Sequence, residues 1–179
     1  RFLERIDLRY DPRRPAPLET RLASGDRIVV GEGPRVIWAI ARQHPGESMA
    51  EWWMEGFIAR LISEDSLSKV LLQKATFYLV PNMNPDGSFR GNLRTNSAGV
   101  NLNREWLNPS MERSPEVFIV REMMHQTGVD LCLDIHGDES LPYNFAAGLE
   151  GIPSLHQKLL DLDTSKILLR LSCQIYLTM

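Results

Sequence analysis

Two histidines and one glutamate stand at positions where three side chains could bind one metal ion. His44 and Glu47 belong to a His-Pro-Gly-Glu segment, and His136 lies far downstream. Imidazole nitrogen and carboxylate oxygen suit Zn²⁺, and a catalytic zinc has three protein ligands and one position open to water. The ion lowers the pKa of that water and polarises a carbonyl group. His44, Glu47 and His136 are therefore predicted to hold one zinc ion per chain.

Each of these histidines comes shortly after a segment that is predicted to be a buried strand. Residues 36–41 and 129–135 are mainly apolar runs that lead into His44 and His136. Such runs are typical of strands covered on both faces, and α/β sheets place their sites at the carboxyl ends of neighbouring strands. His125 and His156 lack these surroundings and are expected to be surface or helix residues. A lone His-x-x-Glu motif is weak evidence for a zinc site, and the strand context strengthens that evidence.

Strands alternate with helices along the rest of the chain. Strands are predicted at 27–31, as an edge strand, and at 75–80. Helices are predicted at 48–62, at 67–73 and from Ser114, as N-cap, to Gly128. This pattern predicts an α/β fold, a mixed and mostly parallel sheet with helices on both faces. The aromatic residues predicted to lie in the core are Trp38, Trp52, Trp53 and Phe57.

The remaining segments are less regular. Residues 1–17 are basic and rich in proline, which predicts a linker or lead-in, and 18–179 are taken as the domain. Residues 152–162 could form a helix, and 163–179 have no clear pattern. The chain begins with arginine rather than methionine, so it is expected to be a piece of a longer protein.

The overall composition narrows the function classes. The chain has 179 residues, 43% of them hydrophobic, and a net charge of −3. This predicts one globular domain and argues against a nucleic-acid partner. No apolar run approaches a membrane span and no signal peptide is visible, which predicts no membrane association. Cys132 and Cys173 are expected to be buried free thiols, which suits a cytoplasmic location. The sequence does not determine an oligomeric state.

Residues 81–109 form a long segment without a sustained period, and a loop of this length is usually functional. The Asn-Pro-Asp-Gly tetrapeptide at 84–87 predicts a turn. Guanidinium groups bind carboxylates in bidentate geometry. Several such groups beside a zinc ion would form an anion-binding surface. This predicts a substrate that bears a carboxylate. The residues that would form this surface are Arg90, Arg94, Asn103 and Arg104.

These motifs resemble, in their order, those of zinc metallocarboxypeptidases of the carboxypeptidase A type, family M14. The residues that carry the resemblance are His44-x-x-Glu47, Asn84-Pro85-Asp86-Gly87, Arg94, Asn103-Arg104 and His136. Segments 41–47, 90–94, 102–106 and 134–139 look most like the cytosolic carboxypeptidase-like branch. The resemblance extends over about 28–148, and several linked motifs make it specific.

The resemblance implies a role for each of these side chains. His44, Glu47 and His136 would hold the zinc, a ligand set known for carboxypeptidase A. Asn103 and Arg104 would bind the C-terminal carboxylate of a peptide or protein substrate. Arg94 would polarise the scissile carbonyl and stabilise the oxyanion. The branch further suggests a preference for acidic C-terminal residues.

The chain departs from the family pattern at two points. Asn101 stands where family members usually carry an aspartate that orients a zinc-binding histidine, so weaker support for the metal is expected. The general base of the family is a glutamate on a late strand, and Glu150 lies too close to His136 to match it. The domain is therefore expected to be a partial carboxypeptidase catalytic domain that binds zinc and carboxylate. Without the base, turnover would be lower by ~10²–10⁴.

Two alternatives to a carboxypeptidase remain at this stage. One is a deacylase of the aspartoacylase or succinylglutamate desuccinylase type, which uses a related zinc site. The motif that extends from Arg90 to Asn103 argues against it. The other is a zinc- and carboxylate-binding module without catalysis. The missing general base argues for that second alternative.

Overall fold

The described part of the chain folds into a seven-stranded sheet with helices on both faces. The computed structural model describes residues 6–7, 26–138, 140–141, 143–147 and 172–178. The strands are β1 (Ile6–Asp7), β2 (Asp26–Val30), β3 (Arg35–Ala41), β4 (Ala75–Val80), β5 (Leu131–Asp138), β6 (Phe145–Ala147) and β7 (Ser172–Thr178). The helices are α1 (Ser48–Leu61), α2 (Ser66–Lys74), α3 (Pro85–Arg90) and α4 (Pro115–Thr127), with a 3₁₀ turn at Leu102–Arg104. The predicted α/β class is confirmed.

The strand order brings the two predicted histidine-bearing strands together. In space the order is β1-β2-β4-β3-β5-β7-β6. The inner strands β4, β3, β5 and β7 run parallel, whereas β1, β2 and β6 join the sheet through antiparallel pairs. Ala41 of β3 lies beside Ile135 of β5. His44 and His136 therefore lie at the same end of the sheet, as predicted.

Alternating side chains of the inner strands fill two cores. Ala39 and Ala41 pack in the core that includes Ala50, Met54 and Leu61 of α1. The other core contains Trp38 and Ile40, together with residues of α4. Trp38 is fully buried, stacks on Tyr78 at 4.8 Å between ring centroids, and donates its indole N–H to Thr127. Two-sided burial explains why the run at 36–41 is continuously apolar.

Trp52 is not a core residue, contrary to the prediction. Its exposed fraction is 70%, whereas Trp53 and Phe57 pack against the first core. The buried residues of α1 include Ala50 and Met54. Trp52 is two positions from each of them, which turns it to the opposite side of a helix with 3.6 residues per turn.

Other boundaries differ from the predictions. β2 is not an edge strand, because β1, from the predicted lead-in, pairs outside it. Ser114 precedes α4 as predicted but makes no side-chain cap bond, whereas Gly128 ends that helix with φ 78°. Residues 172–178 form β7, and the possible helix at 152–162 lies outside the described residues. Among the described helices, none has the length and apolar character needed to cross a membrane.

Candidate functional site

The two histidines and the glutamate converge at the carboxyl ends of β3 and β5. His44 Nδ1 lies 2.8 Å from Glu47 Oε1, and His136 Nδ1 lies 2.9 Å from Glu47 Oε2. One ligand atom from each residue lies within 4.8 Å of the others. Both imidazoles are buried, with exposed fractions of 2% for His44 and 1% for His136. The three predicted ligands therefore come together.

A strained turn after β3 presents two of these side chains. Arg42 follows the strand with φ 55°, a left-handed conformation that costs energy for a residue with a Cβ. Its guanidinium donates to the carbonyl of Pro45 at 2.9 Å and pairs with Glu51 on α1. Glu47 then stands at the N-cap position of α1. Contacts on both sides of the turn thus offset its strain and set where His44 and Glu47 lie.

Glycine after His136 allows the two strand ends to approach. A Cβ built on Gly137 would lie 2.2 Å from Met49 Sδ and 3.3 Å from the Cβ of Glu47. A side chain there would displace the Met49 side chain and crowd Glu47. Gly137 therefore permits the contact between Glu47 and His136.

Acceptor groups hold the outer nitrogen of each imidazole. Asp134 Oδ2 lies 2.9 Å from His136 Nε2, and Asn101 Oδ1 lies 3.1 Å from His44 Nε2. A carboxylate and an amide oxygen only accept, so each Nε2 can donate to its outer partner, and a bound metal would take the place of the proton on the Nδ1 that faces Glu47. Asp134 shares a strand face with His136, since the two are separated by one residue. The role of Asp134, which the sequence left open, is thus support of the imidazole.

The pair of carboxylates around His136 makes the site strongly anionic. Burial by itself would raise the pKa of Glu47, but hydrogen bonds to His136 and His44 lower it to about 2. Burial would lower the pKa of His136, yet Asp134 and Glu47 raise it to about 9. The negative electrostatic potential that favours an imidazolium at His136 also favours a bound cation.

These donors fit a zinc ion. Both Nδ1 atoms face the Glu47 carboxylate, one ligand atom of each residue lies within 4.8 Å of the others, and each Nε2 has an oxygen acceptor, as metal-binding histidines require. The ligand set has the His₂Glu composition of catalytic zinc sites.

The predicted anion-binding arginines occupy different places. Arg94 Nη2 lies 3.2 Å from His44 Nε2, and Nη1 lies 3.8 Å from Glu47 Oε1. Arg104 is exposed and donates to the carbonyl of Asn103, whose amide nitrogen lies 3.3 Å from His136 Nε2. Arg90 is also exposed, and its guanidinium donates to the carbonyl of Ser97.

The segment at 84–87 begins helix α3 and is not the isolated turn that was predicted. Asn84 accepts the N–H of Gly87 at 3.1 Å, and proline follows the cap. Asn and Pro favour helix starts as well as turns, which is why the pattern was ambiguous. The Asn84 amide also donates to the carbonyl of Gln43 at 2.9 Å. The segment at 81–109 is thereby attached to the chain beside His44.

A buried carboxyl group anchors the same loop farther from the site. Asn96 donates to Glu116 at 3.3 Å and to the carbonyl of Arg113 at 2.8 Å. Burial raises the pKa of Glu116, although its own backbone N–H and Asn96 oppose the shift, and Asp86 adds to it. The folded protein therefore holds this proton more tightly than the unfolded chain does.

Replacing Glu116 by glutamine is expected to increase the free energy of unfolding near pH 8. Because the folded pKa is raised, the contribution of the carboxyl group to stability is full below its unfolded pKa and falls as pH rises through the folded pKa. Urea denaturation of the metal-free protein at pH 4 and pH 8 would measure this. The advantage of Glu116→Gln should shrink at pH 4, and Glu122→Gln, exposed on the same helix, should show none. A larger loss at pH 8 than at pH 4 would contradict the prediction.

Three residues near the site carried no signal that assigned them a role. Gln43 and Trp106 lie within segments used for the family resemblance, but neither was given a function. Tyr176 belongs to the segment that could not be placed, and its ring stacks between His136 (5.3 Å) and Phe145 (4.5 Å). Burial raises the pKa of Tyr176, Asp134 and Glu47 add to the shift, and Arg104 opposes it. Only strand pairing of β7 with β5 brings that ring to the site.

Comparisons with known proteins identify the family. The model of the zinc carboxypeptidase family, Peptidase_M14, matches residues 23–148. A protein of Zymomonas mobilis is 62% identical over 133 residues, which cover 74% of this chain and 35% of that protein. Human cytosolic carboxypeptidase 4 is 34% identical over 134 residues, 72% of this chain and 12% of that protein. The chain therefore belongs to the zinc carboxypeptidase family, a family of hydrolases.

Solved structures show the same fold. A metallo-carboxypeptidase from Pseudomonas aeruginosa matches with a TM-score of 0.74 and 43% identity, over 86% of this chain and 51% of that one. The chain thus spans about half the length of that structure. A succinylglutamate desuccinylase/aspartoacylase from Rhodobacter sphaeroides matches with a TM-score of 0.55 and 14% identity, over 85% and 51%. That second likeness concerns the fold alone.

Proposed function

We propose that this chain carries the zinc and substrate site of a metallocarboxypeptidase that removes the C-terminal residue of a peptide or protein. The observation that carries the proposal is the convergence of His44 Nδ1, Glu47 and His136 Nδ1 at one point. When bound, zinc would supply a Lewis acid and activate water at neutral pH. Asp134 and Asn101 would keep both imidazoles oriented toward that point.

The arginine side chains support a substrate with a terminal carboxylate. Arg94 lies against His44 and Glu47, where its charge can stabilise a carbonyl oxygen as negative charge develops on it. Asn103 and Arg104, next to His136, would bind the terminal carboxylate. The Pseudomonas aeruginosa relative was solved with (2-guanidinoethylmercapto)succinic acid, which carries two carboxylates and one guanidino group; it supports carboxylate binding and leaves the residue preference to the family resemblance. A preference for acidic C-terminal residues is part of the proposal.

Hydrolysis of matched peptides tests this function. The zinc-loaded chain should release the last residue from a peptide that ends in glutamate with a free carboxylate. It should leave the same peptide intact when its C-terminus is amidated, because the carboxylate is then missing. Peptides ending in lysine or leucine would measure the residue preference. Cleavage of an N-acyl amino acid, without cleavage of any peptide, would favour a deacylase and overturn the proposal.

A second candidate function is zinc and carboxylate binding with little turnover. The specific observation is that β7, which lies beside the histidine-bearing strand β5, contains neither aspartate nor glutamate. Glu47 and Asp134 supply carboxylates that contact the two histidines. Both are already engaged with imidazoles. Undiminished ligand binding with hydrolysis slower by ~10²–10⁴ than in the Pseudomonas aeruginosa relative would support this candidate.

The proposal also includes a place in the cell and a domain assignment. The human relative is a cytosolic carboxypeptidase by name, which supports a cytoplasmic location here. Residues 18–179 would form part of a carboxypeptidase catalytic domain, preceded by the lead-in at 1–17. Fluorescence microscopy of the tagged chain in the native host would test the location.

A further inference from the structure

A buried hydrogen-bonded chain leads from an indole to one of the proposed zinc ligands. Trp106 Nε1 donates to Gln43 Oε1 at 2.8 Å, and Gln43 Nε2 donates to Asp134 Oδ2 at 2.7 Å. The same carboxylate oxygen accepts from His136 Nε2 at 2.9 Å. Gln43 is fully buried and Asp134 is 5% exposed.

The indole determines the direction of every bond in this chain. Trp106 Nε1 can only donate, so the atom of Gln43 that faces it must be the amide oxygen. The amide nitrogen of Gln43 must then face Asp134, where it donates. Asp134 only accepts, so it requires the same orientation of the amide as Trp106 does. The orientation of the Gln43 amide is thus enforced by its partners.

The backbone of Gln43 is held as firmly as its side chain. Its carbonyl accepts from Asn84, and its neighbour Arg42 adopts the left-handed turn that ends β3. Gln43 precedes His44 directly and reaches His136 through Asp134. It therefore links the proposed zinc ligand after β3 to the proposed ligand on β5.

We propose that Gln43 is a positioning residue for the zinc site. It keeps Asp134 in place as an acceptor for His136 Nε2, so that the ring is oriented with Nδ1 toward Glu47 and the proposed metal position. Outer partners of metal ligands typically change affinity by ~10–100-fold, and Gln43 is one step farther from the metal. This inference rests on the proposed zinc function of His44, Glu47 and His136.

Zinc affinity of three variants, measured by competition with a chromophoric chelator, tests the proposal. Gln43→Met keeps a similar volume and removes the amide, and zinc should bind about tenfold more weakly. Trp106→Phe removes the indole N–H and keeps an aromatic ring, so a smaller loss in the same direction is expected. Val120→Ala, a buried truncation on α4, should lower the unfolding midpoint and leave zinc affinity unchanged.

Exchange of the His136 Nε2 proton with water, followed by NMR on ¹⁵N-histidine-labelled protein, provides a second readout, and Val120→Ala measures how much overall destabilisation alone changes it. The proton should exchange faster in Gln43→Met and Trp106→Phe than in the wild type and in Val120→Ala. This readout needs no metal, so it tests the hydrogen-bonded chain even if zinc binding fails.

The outcomes separate the two proposals. A wild-type chain that binds no zinc would overturn the proposed zinc function, and unchanged proton exchange in Gln43→Met would overturn the hydrogen-bonded chain. Zinc binding in the wild type with equal affinity in Gln43→Met would overturn the positioning role alone. If Gln43→Met does not fold, Trp106→Phe decides the question by the same two measurements.

Discussion

Replacing His136 by alanine is expected to abolish stoichiometric zinc binding. The substitution removes one of three converging ligand atoms and leaves Glu47 and Asp134 without their shared imidazole. The dissociation constant should rise by more than ~100-fold, the upper end of the range for losing only an outer partner of a ligand. Elemental analysis of purified protein after dialysis against a weak chelator would show about one zinc per chain in the wild type and little in the variant.

His125 provides the matched control for this experiment. It is an exposed histidine in the last turn of α4, so His125→Ala should retain the wild-type zinc content. Circular dichroism of each variant would show whether the fold is kept. Full zinc content in a folded His136→Ala variant would mean that the metal binds elsewhere, and the proposed ligand set would be wrong.

Replacing Arg104 by alanine is expected to weaken the binding of (2-guanidinoethylmercapto)succinic acid by ~10–100-fold. A hydrogen bond to a charged group is worth about 1.5–3 kcal/mol, and each 1.4 kcal/mol changes affinity tenfold. Arg104 is an exposed side chain that donates to the carbonyl of Asn103, beside His136. Removing it should leave zinc content unchanged, because no proposed ligand is lost.

Calorimetric titration of the zinc-loaded chain would measure this affinity without requiring turnover. Arg90→Ala is the control, since Arg90 is also an exposed loop arginine but binds the carbonyl of Ser97. The sequence alone had placed both arginines in one anion-binding surface. Equal losses in Arg90→Ala and Arg104→Ala would indicate a nonspecific effect of charge, and no loss in either would exclude Arg104 from carboxylate binding.

The convergence of His44, Glu47 and His136 could be predicted from the sequence because chemistry and local structure coincide there. His44 and Glu47 are separated by one short turn, and His136 stands near the end of a mainly apolar strand. The carboxyl ends of parallel strands lie at the same end of a sheet. The two histidines therefore come together once β3 and β5 are neighbours. Helices α1 and α4 were predictable for the same reason, since their apolar period reports which face is buried.

Long-range contacts explain what could not be predicted. The amide of Gln43 faces Asp134 because a tryptophan 63 residues away donates to its oxygen, and sequence patterns do not reveal such a pairing. Tyr176 reaches His136 only through the pairing of β7 with β5. Trp52 has the large apolar side chain typical of a core residue, and only the packing of α1 shows that it faces outward.

The sequence by itself thus determined the family, the α/β class and the residues able to bind zinc, because these depend on residue type, spacing and periodicity. The tertiary structure alone decided which nitrogen of each histidine faces Glu47, which groups hold the other nitrogen, and which arginines stand beside the site. Those features depend on distances and directions between atoms that are far apart in the chain. They arise only when the strands are paired and the loop at 81–109 is packed against their ends.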